Sequence, residues 1–83
     1  MLVEDLHDVI SVRADFSGGE IVPLVFKRGG KTYTVTRVNG RWVDREGENP
    51  SYYFSVQAGG DTYYISLKTA DMTWRAESVI LDG

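Results

Sequence analysis

Three Gly-Gly pairs, at 18–19, 29–30 and 59–60, punctuate this chain, and around each of them apolar and polar residues alternate. Glycine enters the positive-φ conformations of a tight turn without steric cost. Strict alternation places successive side chains on opposite faces of an extended strand. The two signals together specify consecutive antiparallel strands joined by short turns. No helical periodicity interrupts them. The pattern gives seven runs, at 8–16, 21–28, 31–38, 41–45, 52–58, 62–68 and 73–81. Asn39-Gly40, between the third and fourth, is the strongest hairpin signal of all, because a type I′ turn needs positive φ at both central residues. The first run is expected to be short or frayed, so the count is six to seven. Residues 1–7 are expected to form a loosely ordered acidic arm on a single domain spanning 1–83.

Register follows from asking which residues must share a face. A two-residue turn at Gly29-Gly30 sets Phe26 opposite Tyr33 and Leu24 opposite Val35, so Val22, Leu24, Phe26, Tyr33 and Val35 face inward. A turn at Gly59-Gly60 pairs Val56 with Tyr63, Phe54 with Ile65 and Tyr52 with Leu67. Tyr52 and Tyr63 then point inward, and Tyr53 and Tyr64 outward. The Asn-Gly hairpin gives a conflict, because it places Arg37 inside. A β-bulge near Thr36-Arg37 swings Arg37 out and returns Val38 and Trp42 to the core. The bulge is preferred, because burying an unpaired guanidinium costs several kcal/mol.

Short meandering strands with one apolar face, and no helix to cover it, must curl on themselves. The expected fold is all-β: an antiparallel meander closed into a small SH3-like barrel or roll. Its expected core is Phe26, Tyr33, Val35, Trp42, Phe54, Val56, Tyr63, Ile65 and Trp74. With Trp42 inside, Trp42→Ala is expected to cost about 3–5 kcal/mol.

Composition narrows the function classes. The 83 residues include no cysteine, which removes disulfides and thiolate metal sites. No apolar run reaches the length of a membrane-spanning helix, and no stretch resembles a signal peptide, so the expected location is cytoplasmic with no membrane partner. The net charge of −3 is unevenly spread: residues 1–12 carry −3, residues 13–45 carry +4 and residues 46–83 carry −4. A basic middle third in an acidic chain bears on partners rather than on fold.

The run "PLVFKRGGKTYTVTRVNGRW" (23–42) carries Pro23, Phe26, Gly30, Tyr33, Val35, Val38 and Trp42. "YYFSVQAGGDTYYISL" and "TWRAESVILD" follow it. Over roughly residues 21–82 the chain resembles a small bacterial all-β domain family with the pattern P-x-x-F-x-W-x-G-x-x-Y-x-V-x-x-V-x-x-x-W. Some members of that family are encoded near error-prone DNA polymerases. Arg28 stands where the pattern has an aromatic residue. The matched positions are core and turn positions, so the resemblance implies a fold and a family without a settled biochemical role. It carries over no catalytic residue.

Chemistry is sparse. The chain has no P-loop, no dinucleotide fingerprint and no nucleophile elbow. His7 is its one imidazole. It stands among Glu4, Asp5 and Asp8, which read as a solvated arm rather than a metal site. Asp44, Glu46 and Glu48 lack the spacing of a calcium loop. No cofactor, metal or catalytic residue is expected, and the chain is not expected to be an enzyme. Binding is the better class. Lys27, Arg37 and Arg41 are expected on an outer face beside Tyr53 and Tyr64. Tyr53, Tyr64 and the loop "EGENPSYY" (46–53) are expected to rim a groove for a protein or peptide partner, and self-association through an open strand edge belongs to the same class. The alternative is single-stranded nucleic acid, with the cations on phosphates and the tyrosines stacked on bases.

Overall fold

In the computed structural model each Gly-Gly pair is a two-residue turn, closed by Ser17–Glu20, Arg28–Lys31 and Ala58–Asp61. Gly59 and Gly60 have φ of 59° and 85°, as a type I′ turn requires. The structure describes residues 2–81. They form β1 (Leu2–Ser17), β2 (Glu20–Arg28), β3 (Lys31–Asp44), β4 (Ser51–Ala58), β5 (Asp61–Lys68) and β6 (Thr73–Leu81). Each strand pairs antiparallel with the next, and β1 pairs with β6, so the meander closes into a six-stranded barrel.

Closure relies on two long strands that each serve two neighbours. β1 pairs with β6 over Leu2–Ile10 and with β2 over Ser11–Ser17. β3 pairs with β2 over Lys31–Thr34 and with β4 over Val35–Asp44. The first of these corrects the acidic arm. Leu2–Asp5 is not loose but pairs with Ser78–Leu81.

The second corrects the strand count. The expected runs 31–38 and 41–45 are one strand, because Asn39-Gly40 is not a turn. Neither residue has positive φ. Asn39 is instead an unpaired extra residue between Val38–Val56 and Gly40–Ser55. Thr36 is another, between Val35–Ala58 and Arg37–Gln57. Gln57 ties both bulges down. Its carbonyl accepts from Thr36 Oγ1 at 3.2 Å, and its Oε1 accepts from Asn39 Nδ2 at 3.1 Å and from Thr62 Oγ1.

The bulges decide which side chains are inside. The bulge at Thr36 turns Arg37 out and Val38 in, as expected from the sequence. The bulge at Asn39 reverses the phase again. Arg41 now shares the face of buried Phe54, and Trp42 shares that of outward Tyr53. Trp42 is therefore 49% exposed and not a core residue. A third bulge, at Leu24 between Arg13–Val25 and Ala14–Pro23, sends Pro23 and Ile21 inward in place of Leu24 and Val22. The register of β4 with β5 is as the sequence implied, with Phe54 opposite Ile65 and Val56 opposite Tyr63.

The core is Phe26, Phe54, Val56, Ile65 and Leu67, with Ile10, Tyr63, Ala58, Ala76 and Val79. Tyr33, Val35 and Trp74 pack against it. Trp74 stacks on Phe54 with centroids 5.7 Å apart. Burying a large apolar side chain contributes about 1.5–3 kcal/mol, and its loss leaves a cavity that costs more. Phe26→Ala should therefore lower stability by about 3–5 kcal/mol. Trp42→Ala should cost less than half as much, because its ring is half in water. Urea denaturation of both variants checks this; equal losses would put Trp42 back in the core.

Candidate functional site

Barrel closure leaves a seam. The β2–β3 ladder ends at Val25–Thr34. Beyond it β3 follows β4, while Glu20–Leu24 of β2 follows β1. The two strands diverge there, and each presents an edge that the other does not pair. Pro23 lies in this stretch of β2, where a missing N–H costs least.

The divergence opens a groove of about 560 Å³ at one mouth of the barrel. Phe54 and Tyr52 from β4 and Ile21 from β2 lie along it, with Phe16, Val43 and the Gly18-Gly19 turn at its rim. Phe16 ends the inward row Ile10–Val12–Ala14–Phe16, but it projects past the last core layer and is 63% exposed. Val43 has the same fate at the end of β3. Both side chains are inward in phase and beyond the barrel in height.

One ion pair spans the groove. Arg41 Nη1 lies 3.5 Å from Glu20 Oε1, with 42% and 62% of the two side chains exposed. A pair this open contributes less than about 1 kcal/mol. Its importance is positional, since it bridges the two strands where their backbone ladder is absent.

The residues expected to form one face are divided among three places. Tyr53 and Tyr64 do point outward from β4 and β5. Trp42 joins them, stacked on Tyr53 at 5.6 Å and 8° and tilted against Tyr64 at 6.4 Å. Arg37 is also outward, opposite Gln57 at the far end of that face. Arg41 is on the inner phase, in the groove. Lys27 points outward between Ser11 and Thr32, on the sheet that β1 and β2 form with the first half of β3. The sequence reading missed the groove because its walls depend on three bulges, of which those at Thr36 and Asn39 cancel in phase. The signal available was the pair Phe16 and Val43, apolar residues at the ends of their strands.

The opposite mouth is plugged. Phe26, Tyr33 and Tyr63 form an aromatic triangle with centroids 4.9–5.3 Å apart. Arg28 Nε donates to Asp8 Oδ2 at 2.8 Å beside it. Burial, then the hydrogen bond and charge of Tyr33, push the Tyr63 hydroxyl up to about 12; Asp61 adds to the shift and Arg28 opposes it.

Where β1 meets β6, His7 and Glu77 mark another irregularity. His7 has φ of 55°, and its Nδ1 lies 3.4 Å from Glu77 Oε1. Ser66 Oγ donates to Glu77 Oε2 at 2.6 Å. The carboxylate stands between serine and imidazole, so the imidazole has no path to the Ser66 proton. Ser66 is also fully buried. This is not the arrangement of a nucleophile and its base.

Comparison with family models, curated proteins and solved structures finds no match to this chain.

The Tyr63 shift predicts alkaline behaviour. The unfolded chain loses the tyrosine proton near pH 10, and the folded chain holds it to about 12. Below pH 10 this contribution to stability is complete, and it is lost as pH rises from about 10 to about 12. Denaturant midpoints across that range should fall for the parent and fall less for Tyr63→Phe. Identical slopes would show that Tyr63 ionises as freely in the folded chain as in the unfolded one.

Proposed function

We propose that this chain is a cytoplasmic, non-enzymatic binding module that takes an extended segment of a partner protein into the β2–β3 seam. The carrying observation is the divergence of two strand edges over an apolar floor. Extended peptides dock on sheets by adding main-chain hydrogen bonds at an open edge while alternate side chains enter pockets. The seam offers both: unpaired backbone on β2 and β3, and a floor of Ile21, Tyr52 and Phe54. Concave, mostly apolar sites with a few polar groups are the usual form of a binding pocket.

A second reading rests on the outer face. Trp42, Tyr53 and Tyr64 form a cluster of three rings. Exposed rings stack nucleobases irrespective of sequence. Arg37, of the expected cationic set, shares this face, and so does Arg75, which pairs with Ser66 beside Tyr53. The signature of this reading is affinity that falls steeply with salt, which an apolar groove does not share.

Selection from a random phage-displayed heptapeptide library, followed by amide chemical-shift mapping with the enriched peptides, tests the first reading. Enriched peptides should carry apolar residues at alternate positions and shift residues 16–21, 41–43 and 52–54. Phe16→Ser, at an exposed rim position, should weaken them about fivefold or more, as loss of a contact worth about 1 kcal/mol does. Shifts confined to Trp42, Tyr53 and Tyr64, or concentration-dependent shifts without peptide, would move the site to the outer face or to self-association.

A further inference from the structure

The groove's two charges are not equivalent, and their difference identifies the partner's chemistry. Arg41 stands on β3, held by continuous pairing with β4 from Gly40 to Asp44. Its neighbour across that ladder is Phe54, a core residue. The backbone of Arg41 is thus fixed, and its side chain lines the groove with Tyr52 and Phe54. Glu20 stands at the tip of the β1–β2 hairpin, directly after Gly18 and Gly19, whose φ values are 59° and 81°. Chain neighbours apart, no heavy atom of the described residues lies within 4 Å of where a Cβ would stand on either glycine. Glu20 is also the more exposed partner of the pair. One charge stands on a strand paired along this stretch, and the other on the last rung of a hairpin at the barrel mouth.

We infer that Glu20 is a resident stand-in for a carboxylate of the ligand, and that the seam selects an extended apolar peptide bearing an acidic residue. This deepens the proposed peptide-binding function and rests on it. An entering strand must pass between Arg41 and Glu20. A neutral or basic segment would part the pair and leave Arg41 desolvated over Phe54 and Tyr52 without a counter-charge. A segment with a glutamate or aspartate at that point replaces Glu20, and its planar carboxylate can take both donors of the guanidinium fork. Glu20 then turns to water on the glycine hairpin at little cost. Closed, the pair shields the floor; exchanged, it reports an acidic side chain.

Three outcomes separate this inference from the reading beneath it. Peptides enriched from the heptapeptide library are resynthesised with Glu, Gln or Lys at each charged position. Their affinities are measured by fluorescence anisotropy for the parent, Glu20→Gln and Arg41→Gln, with melting temperatures for all three proteins. The inference expects acidic peptides. It expects Glu20→Gln to tighten them about two- to fivefold, the range of an exposed ion pair, and Arg41→Gln to weaken them about tenfold or more. Both variants should melt near the parent. Groove-bound peptides that are neutral or basic, with affinity indifferent to both substitutions, would overturn the inference and leave the groove reading standing. No peptide in the groove at all would overturn both. A free fatty acid that competes with the acidic peptide equally in the parent and in Arg41→Gln would show an apolar slot without charge selection, and would also overturn it.

Discussion

One strand has to satisfy two neighbours that run away from each other. β3 pairs with β2 at its start and with β4 along the rest of its length. A flat strand cannot do both, because the barrel turns away beneath it. Extra residues at Thr36 and Asn39 supply the twist, as bulges do. Gln57 accepts hydrogen bonds from both, so neither bulge is left with its side chain unsatisfied. The strand bends, the barrel closes through β1 and β6, and the core around Phe26, Phe54 and Ile65 is sealed.

Each feature at the mouth follows from that bend. Because β3 leaves β2 after Thr34, the two strands have no shared ladder there. An open edge invites unintended pairing. Here it is guarded by a proline, by a charge pair and by the overhang of Phe16 and Val43. Such guards restrict access to the edge without covering the apolar floor behind it. The far mouth is closed differently, by the Phe26–Tyr33–Tyr63 triangle. The barrel is thus polar in the sense of having two unlike ends, one packed with rings and one left as a groove.

The sheet order, the three glycine turns and the β4–β5 register were legible in the sequence, because each rests on local alternation and on turn chemistry. Trp42 was not. One bulge puts it inside, two put it outside, and Asn39-Gly40 reads locally as a turn although it lies within a strand. The hairpin was overridden by pairing across β4, which gives Arg41–Asp44 partners in Ser51–Phe54 and gives Trp42 a stacking partner in Tyr53. The paired start of β1 was missed for a related reason. Its partner, the end of β6, is distant in sequence, and three acids masked the strand. Of the expected contact residues, Tyr53, Tyr64, Arg37 and Lys27 were placed outward correctly, while Arg41 depended on the same second bulge. The groove needed three bulges at once, which no single-strand pattern reveals.

The most direct test of the diverging seam is residue-resolved amide hydrogen exchange of the free protein. In Arg41–Asp44 only the amides that face β4 have ladder partners, so protection should alternate between strong and weak along this stretch. In Glu20–Val22, before Pro23, which has no amide, it should alternate likewise, with strong protection only toward β1. Continuous protection through both segments would mean that the β2–β3 ladder runs on past Val25–Thr34, and that the groove does not exist in solution.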